Sequence, residues 1–252
     1  MKWRGCSWIS ILLLAACSTN PSGGYVDSPN GRPLPIRQDR NTLHQLVKSD
    51  SDRLADIEYA ENEASLRLLM LKLYKRNPAE AHKSGLRVAG QIATPDQIAT
   101  LVFDQVATHQ WKFEALAGAQ DTAAIKLALN PQFSGDRVLA LIVGLQSMLY
   151  RAHGNKSAFF LLDSIEPQNL YNAARNVEIA VWKLGNAKNA RGELLLLTNS
   201  MQADGQNLSF EREFTKLIAR TDMLALMLAE KSQRFISRLT QSITTTPFLP
   251  FR

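Results

Sequence analysis

The sequence is poor in the residues that carry most recognisable chemistry. Of its 252 residues, two are cysteine and four are histidine. The histidines are His44, His82, His109 and His153; no two stand at metal-ligand spacing, and none has the glutamate neighbour of a zinc-protease motif. No serine sits in a Gly-x-Ser-x-Gly elbow, and no glycine-rich loop with a lysine is available to cradle a phosphate. Strand-like alternation is missing throughout, which points to an all-α chain. A basic stripe is missing too. The formal charge is +6, but Lys and Arg are interleaved with Asp and Glu, a pattern that speaks against nucleic acid as a partner.

What is present begins at the N-terminus. Lys2 and Arg4 precede a short apolar run, Trp8 to Leu14, followed by Ala15-Ala16 and Cys17. This is the layout of a secretory signal peptide. The run is well below the roughly 20 apolar residues that span a bilayer. Leu14-Ala15-Ala16-Cys17 resembles the lipobox of bacterial lipoproteins. The resemblance covers only the leader, residues 1–16, and the cut site. It implies cleavage before Cys17, a diacylglycerol on its thiol and an acyl chain such as palmitate on the new amine. Each buried methylene contributes about 0.8 kcal/mol, so two or three chains hold a protein where one binds only marginally. Ser18 in place of aspartate resembles the outer-membrane address of that class, with the protein facing the periplasm.

Cleavage also removes Cys6, leaving Cys17 as the one remaining cysteine. With lipid on it, disulfides, zinc-finger spacing and a catalytic thiol are excluded. Residues 17–40 then read as a tether: Pro21, Pro29, Pro33 and Pro35 mix with Gly23, Gly24 and Gly31, and few apolar residues recur. A flexible chain of that length reaches about 25 Å.

Residues 41–252 read as a single helical domain. Between Asp50 and Arg76 the apolar positions Leu54, Ile57, Ala60, Ala64, Leu68, Leu71 and Leu73 fall near helical spacing, with acids early and bases late. Asn77-Pro78, Thr94-Pro95-Asp96-Gln97, Asn130-Pro131 and Glu166-Pro167 each look like a cap followed by a first-turn proline. Pro95, Pro131 and Pro167 are 36 residues apart, and Gly118 and Gly154 each lie 23 residues after the preceding proline. Short apolar segments follow near Asp121, at Ala158–Leu162 and at Glu193–Leu197. Two arrangements are consistent with this: helical hairpins in a repeat array, or an irregular bundle. The block Val138–Leu145 is apolar nearly all round and suits a helix buried at the centre. A long final helix is expected from Ser209 towards Ser242, closing the fold, with Phe214, Leu217, Ile218, Thr221, Leu224, Leu228, Phe235 and Leu239 on one face. The apolar ending, Thr244 to Phe251, is non-helical and expected to pack back on the domain.

No catalytic, cofactor-binding or metal-binding residue is assigned; Cys17, for lipid attachment, is the one site residue. Glu114, Asp136, Glu166 and Glu178 are the acids considered for a sugar-hydrolysing pair, but their spacing singles out no two of them. Tyr171-Asn172-Ala173-Ala174-Arg175-Asn176 is unusually polar for a helix start, reading either as a groove or as an exposed first turn. The expected function is a non-enzymatic, membrane-anchored helical adaptor or assembly factor. Its expected partners are membrane lipid through Cys17 and another envelope protein. The alternatives are a cell-wall (peptidoglycan) enzyme with an unrecognised carboxylate site, and carriage of an apolar ligand between the helices.

Overall fold

The computed structural model describes residues 48–160, 163–202, 205–237 and 246–251, and two short strands nearer the N-terminus. The leader, Cys17, His44 and most of the expected tether lie outside the described residues. The chain divides into two units, residues 1–47 and 48–252. In the first, β1 (Tyr25–Asp27) and β2 (Pro33–Pro35) pair antiparallel, with Val26 opposite Leu34.

The second unit is all-α, built from eight mutually packed helices among the described residues. The first, α1 (Asp50–Arg76), begins where the charge pattern places it. Ser49 closes a capping box: its hydroxyl accepts the Asp52 N–H, and the Asp52 carboxylate accepts the Ser49 N–H at 2.7 Å. In its first half the buried face of α1 is not the one expected, although Leu73 is buried as its spacing suggests. Ile57, Ala60 and Ala64 are exposed, while Ala55, Tyr59, Leu66, Leu69, Met70, Leu73 and Tyr74 are buried. The reason is chemical. The inward face of the first half carries Glu58, Asn62 and Ser65; Asn62 donates to Glu58 and to Thr221, and Ser65 accepts from Arg220, so apolar periodicity points the wrong way there.

Next come α2 (Pro78–Lys83) and a tight hairpin of β3 (Arg87–Val88) with β4 (Gln91–Ile92). The Thr94 capping box that opens α3 (Pro95–Asp104) forms as read: Gln97 N–H donates to the Thr94 hydroxyl, and Thr94 N–H donates to the Gln97 side chain. Then follow α4 (Val106–His109), a 3-10 turn at Glu114–Leu116, α5 (Asp121–Leu129) and α6 (Arg137–Ala152). The last two helices are α7 (Pro167–Asn186) and α8 (Ser209–Ser232), with a short hairpin of β5 (Ser200–Gln202) and β6 (Gly205–Asn207) between them.

Helix α6 is the central element, as its all-round apolar block predicts: every residue from Val138 to Leu149 is buried. It packs on α5, α1 and α7. Gly144 marks its closest approach to α5. A Cβ there would lie 2.7 Å from the Ile125 backbone nitrogen and 2.8 Å from the Asp121 carbonyl oxygen. Helices α7 and α8 pack on each other, and α8 also lies along α1.

Of the two arrangements open from sequence, this is the irregular bundle. Pro131 does not start a helix; it sits in a turn, and α6 begins six residues later under an Asp136 cap. Ala158–Phe160 is not helical, and Leu161 and Leu162 lie outside the described residues. Glu193–Leu197 is not helical either; Leu194 bridges Lys188 as a strand would. Of the three short apolar segments, only the one near Asp121 is helical among the described residues. Helix α8 also ends earlier than expected. Gln233 takes a left-handed conformation at φ 52°, and Phe235, placed on the packed face by spacing, is fully exposed. Leu208, not Ser209, occupies the cap position of that helix. Beyond Ser237 the helix expectation, including Leu239, falls outside the described residues.

Candidate interaction surface and buried polar network

The polar start of α7 is a clamp for extended chain. Asn176 and Leu249 exchange two hydrogen bonds, Leu249 N–H to Oδ1 at 2.5 Å and Nδ2 to the Leu249 carbonyl at 2.9 Å. One turn earlier, Asn172 Nδ2 donates to the Pro250 carbonyl at 2.7 Å. A further turn back, Gln168 accepts the Ser237 N–H at 2.8 Å and donates to the Ser237 carbonyl at 3.3 Å. Gln168, Asn172 and Asn176 recur every four residues and therefore line one helix face. Asn77 repeats the device elsewhere, pairing with both backbone groups of Leu197. At Gln168, Asn176 and Asn77 a carboxamide takes the place of a neighbouring strand, presenting one donor and one acceptor to a residue that has no sheet partner, whereas Asn172 only donates, since Pro250 has no N–H, and its Oδ1 accepts from Gln168. The C-terminal segment does pack back, with Phe248 and Phe251 against the core, Lys183 over the Phe248 ring and Arg151 over the Phe251 ring.

Two of the histidines, His109 and His153, hold local structure. His82 is exposed at the end of α2. His109 Nδ1 accepts the Trp111 N–H, and Nε2 donates to the Leu101 carbonyl. His153 closes α6 and is buried. Its Nδ1 faces the Leu149 carbonyl and its Nε2 the Glu58 carboxylate, both at 2.8 Å. The second Glu58 oxygen accepts from Thr221 on α8 and from Asn62. Beside this network, Gln146 of α6 donates to the Tyr59 hydroxyl and towards Glu63. Burial pushes both Tyr59 and Glu63 up from their ordinary pKa values. The network thus ties α1 to α6 and α8 through groups whose exposure to water is nearly nil.

The four acids considered for catalysis do not converge. Glu114 is exposed in the 3-10 turn. Asp136 is buried, caps α6 through Leu139 N–H and accepts the Tyr74 hydroxyl at 2.7 Å; burial pushes its carboxyl up to about 7. Glu166 caps α7 and pairs with Arg234. Glu178 lies near an acid that spacing did not suggest, Asp222 of α8, and Arg175 pairs with both. Burial raises the pKa of both carboxylates, while the shared guanidinium lowers it.

The largest feature missed from sequence is an apolar stripe. Ile57 is 60% exposed, Met223 58%, Leu226 45% and Met227 47%. Met223, Leu226 and Met227 stand at helical spacing on the outer side of α8, and Ile57 and Met223 line a cavity of about 320 Å³ between α1 and α8. A signal for it exists: from Met223 to Leu228 the helix is apolar on every face, more than an amphipathic helix needs.

Among the described residues no group of three or more His, Cys, Asp or Glu is placed to hold a metal ion, and no helix is long and apolar enough to cross a membrane. No family model matches the chain, and neither a curated protein nor a solved structure resembles it.

Proposed function

We propose that this protein is a lipid-anchored envelope adaptor, held on the membrane through Cys17, whose helical domain docks a partner protein. The observation that carries the reading is the exposed stripe of Ile57, Met223, Leu226 and Met227. Contiguous large apolar groups on a surface mark sites of association, and methionines adapt to a partner's shape at little cost. The groove between α1 and α8 suits an amphipathic partner helix reading through apolar anchors one turn apart. Arg220 and Glu61, paired at 3.0 Å on its rim, offer both charges to such a helix.

The raised pKa values of Glu178 and Asp222 lend support to the cell-wall enzyme. Against it, both carboxylates are already engaged by Arg175, which favours their ionised forms, whereas a glycosidase keeps one acid protonated.

Photo-crosslinking from position 227 in intact envelopes tests the adaptor. The expected result is one discrete protein adduct, abolished by Met223→Glu with the thermal unfolding midpoint unchanged. No adduct, or one indifferent to Met223→Glu, overturns the docking face; release of sugar fragments from purified cell wall overturns the non-enzymatic reading.

A further inference from the structure

A second cavity, of about 400 Å³, opens between the His109–Lys112 turn and the last turns of α6. That volume is within the range of ligand pockets, roughly 300–1,000 Å³. Its lining is unusual in backbone as well as side chain. Gln110, Trp111, Asp121 and Asn155 all line it, and all hold left-handed conformations, with φ of 49°, 57°, 50° and 60°. For a bulky residue such as Trp111 this is a true outlier. Backbone strain of this kind persists only where surroundings over-determine it, and it gathers at binding sites.

The surroundings do so here. Gln110 N–H donates to the Val106 carbonyl at 2.7 Å, and Gln120 Nε2 donates to the Gln110 carbonyl at 2.5 Å. Trp111 is held twice, by its N–H on His109 Nδ1 and by its indole N–H on the Val102 carbonyl. Asp121 N–H donates to the Ser147 hydroxyl at 2.8 Å. Asn155 N–H donates to the Tyr150 carbonyl at 3.0 Å. The walls of the cavity are therefore set before any ligand arrives.

The side chains facing the cavity have capacity to spare. Among the described residues, the Lys112 ammonium, the Gln110 and Asn155 carboxamides and the Tyr150 hydroxyl make no hydrogen bond. Arg151 is paired to Asp121 at 2.9 Å, which leaves Lys112 as the uncompensated charge. Carboxamides and a phenol, each able to donate and accept, suit neighbouring hydroxyl and acetamido groups. A lone ammonium suits one carboxylate. Trp111, being buried, gives no open stacking face for a base, and little of the lining is hydrocarbon.

We infer that this cavity binds an acidic saccharide, with Lys112 taking the carboxylate and Gln110, Asn155 and Tyr150 reading the ring substituents. The inference stands apart from the adaptor reading, since the stripe on α8 shares no residue with this cavity. N-acetylmuramic acid and N-acetylglucosamine, which differ by a carboxylate-bearing ether, are the probes, titrated by calorimetry into the full chain carrying Cys17→Ser. The acid is expected to bind about tenfold more tightly than the neutral sugar. Lys112→Met is expected to erase that difference without changing the unfolding temperature, and Tyr150→Phe to weaken both sugars alike. Failure of either sugar to bind, equal binding of the two, or a preference that survives Lys112→Met overturns the proposal. So does displacement of the sugar by an equal concentration of inorganic phosphate, which reveals a bare anion site. Binding that persists with Met223→Glu keeps this outcome separate from that of the docking face.

Discussion

Asn176 and Leu249 pair as residues of adjacent strands do, although one is in a helix and the other in an extended tail: a single carboxamide satisfies both backbone groups of Leu249. The pair closes the C-terminus onto α7. Truncating one partner leaves half-buried polar groups without a mate, at about 1–3 kcal/mol. Asn176→Ala is expected to cost that much in denaturant unfolding and to raise amide exchange at Phe248, Leu249 and Phe251. Asn176→Asp keeps the acceptor and loses the donor, so it is expected to fall between the two. Unchanged exchange in the tail with Asn176→Ala shows that Phe248, Phe251 and the Asn172 bond to Pro250 hold it without Asn176.

The core is tested by Leu141 and Gly144. Leu141→Ala opens a hole in a helix surrounded on every side, at an expected cost of about 2–5 kcal/mol. Gly144→Ala adds a methyl where Ile125 and the Asp121 carbonyl leave no space, and the obstacle is mostly backbone. It is expected to cost about 1–3 kcal/mol, although alanine is the better helix former. A stabilised Gly144→Ala places α5 farther from α6 than described.

Asp136 supplies a pH dependence. Its carboxyl titrates near 7 in the folded chain, against 3.8 for the ordinary group, because burial penalises the charge. Between those values the folded state holds a proton that the unfolded chain releases. The contribution to stability is therefore complete below about 4 and is lost as pH rises through about 7. A full proton corresponds to a slope of about 1.4 kcal/mol per pH unit. Asp136→Asn retains an acceptor for the Leu139 cap and is expected to flatten the curve in that window. An unaltered curve assigns the dependence to other groups, Glu63 first among them.

The anchor has its own test. Cys17→Ser is expected to move the chain from the membrane fraction to the soluble one, with helical circular dichroism unchanged. Continued sedimentation with membranes means that the thiol is not the attachment point.

The sequence by itself determined the helices whose ends are set locally. Residues 50–76 and the Thr94 box depend on contacts three or four residues apart, so caps, charge order and proline placement suffice to read them. The burial of Val138–Leu145 was legible for a similar reason: a segment apolar on all faces has no stable position except an interior one. Tertiary structure alone decided which face of α1 turns inward. Glu58 and Asn62 are buried because His153 and Thr221, far along the chain, complete their hydrogen bonds, and no local pattern encodes that. The same holds for the polar start of α7, where Asn172 and Asn176 are explained by a tail more than seventy residues away. Pro131, Ala158–Phe160 and Glu193–Leu197 carry local helix signals or apolar runs, but non-local partners hold them otherwise. Arg137 gathers the carbonyls around Pro131, Asp56 accepts the Phe159 N–H, and Asn77 clamps Leu197. Propensity is worth tenths of a kcal/mol per residue, and a satisfied buried hydrogen bond with its packing outweighs it.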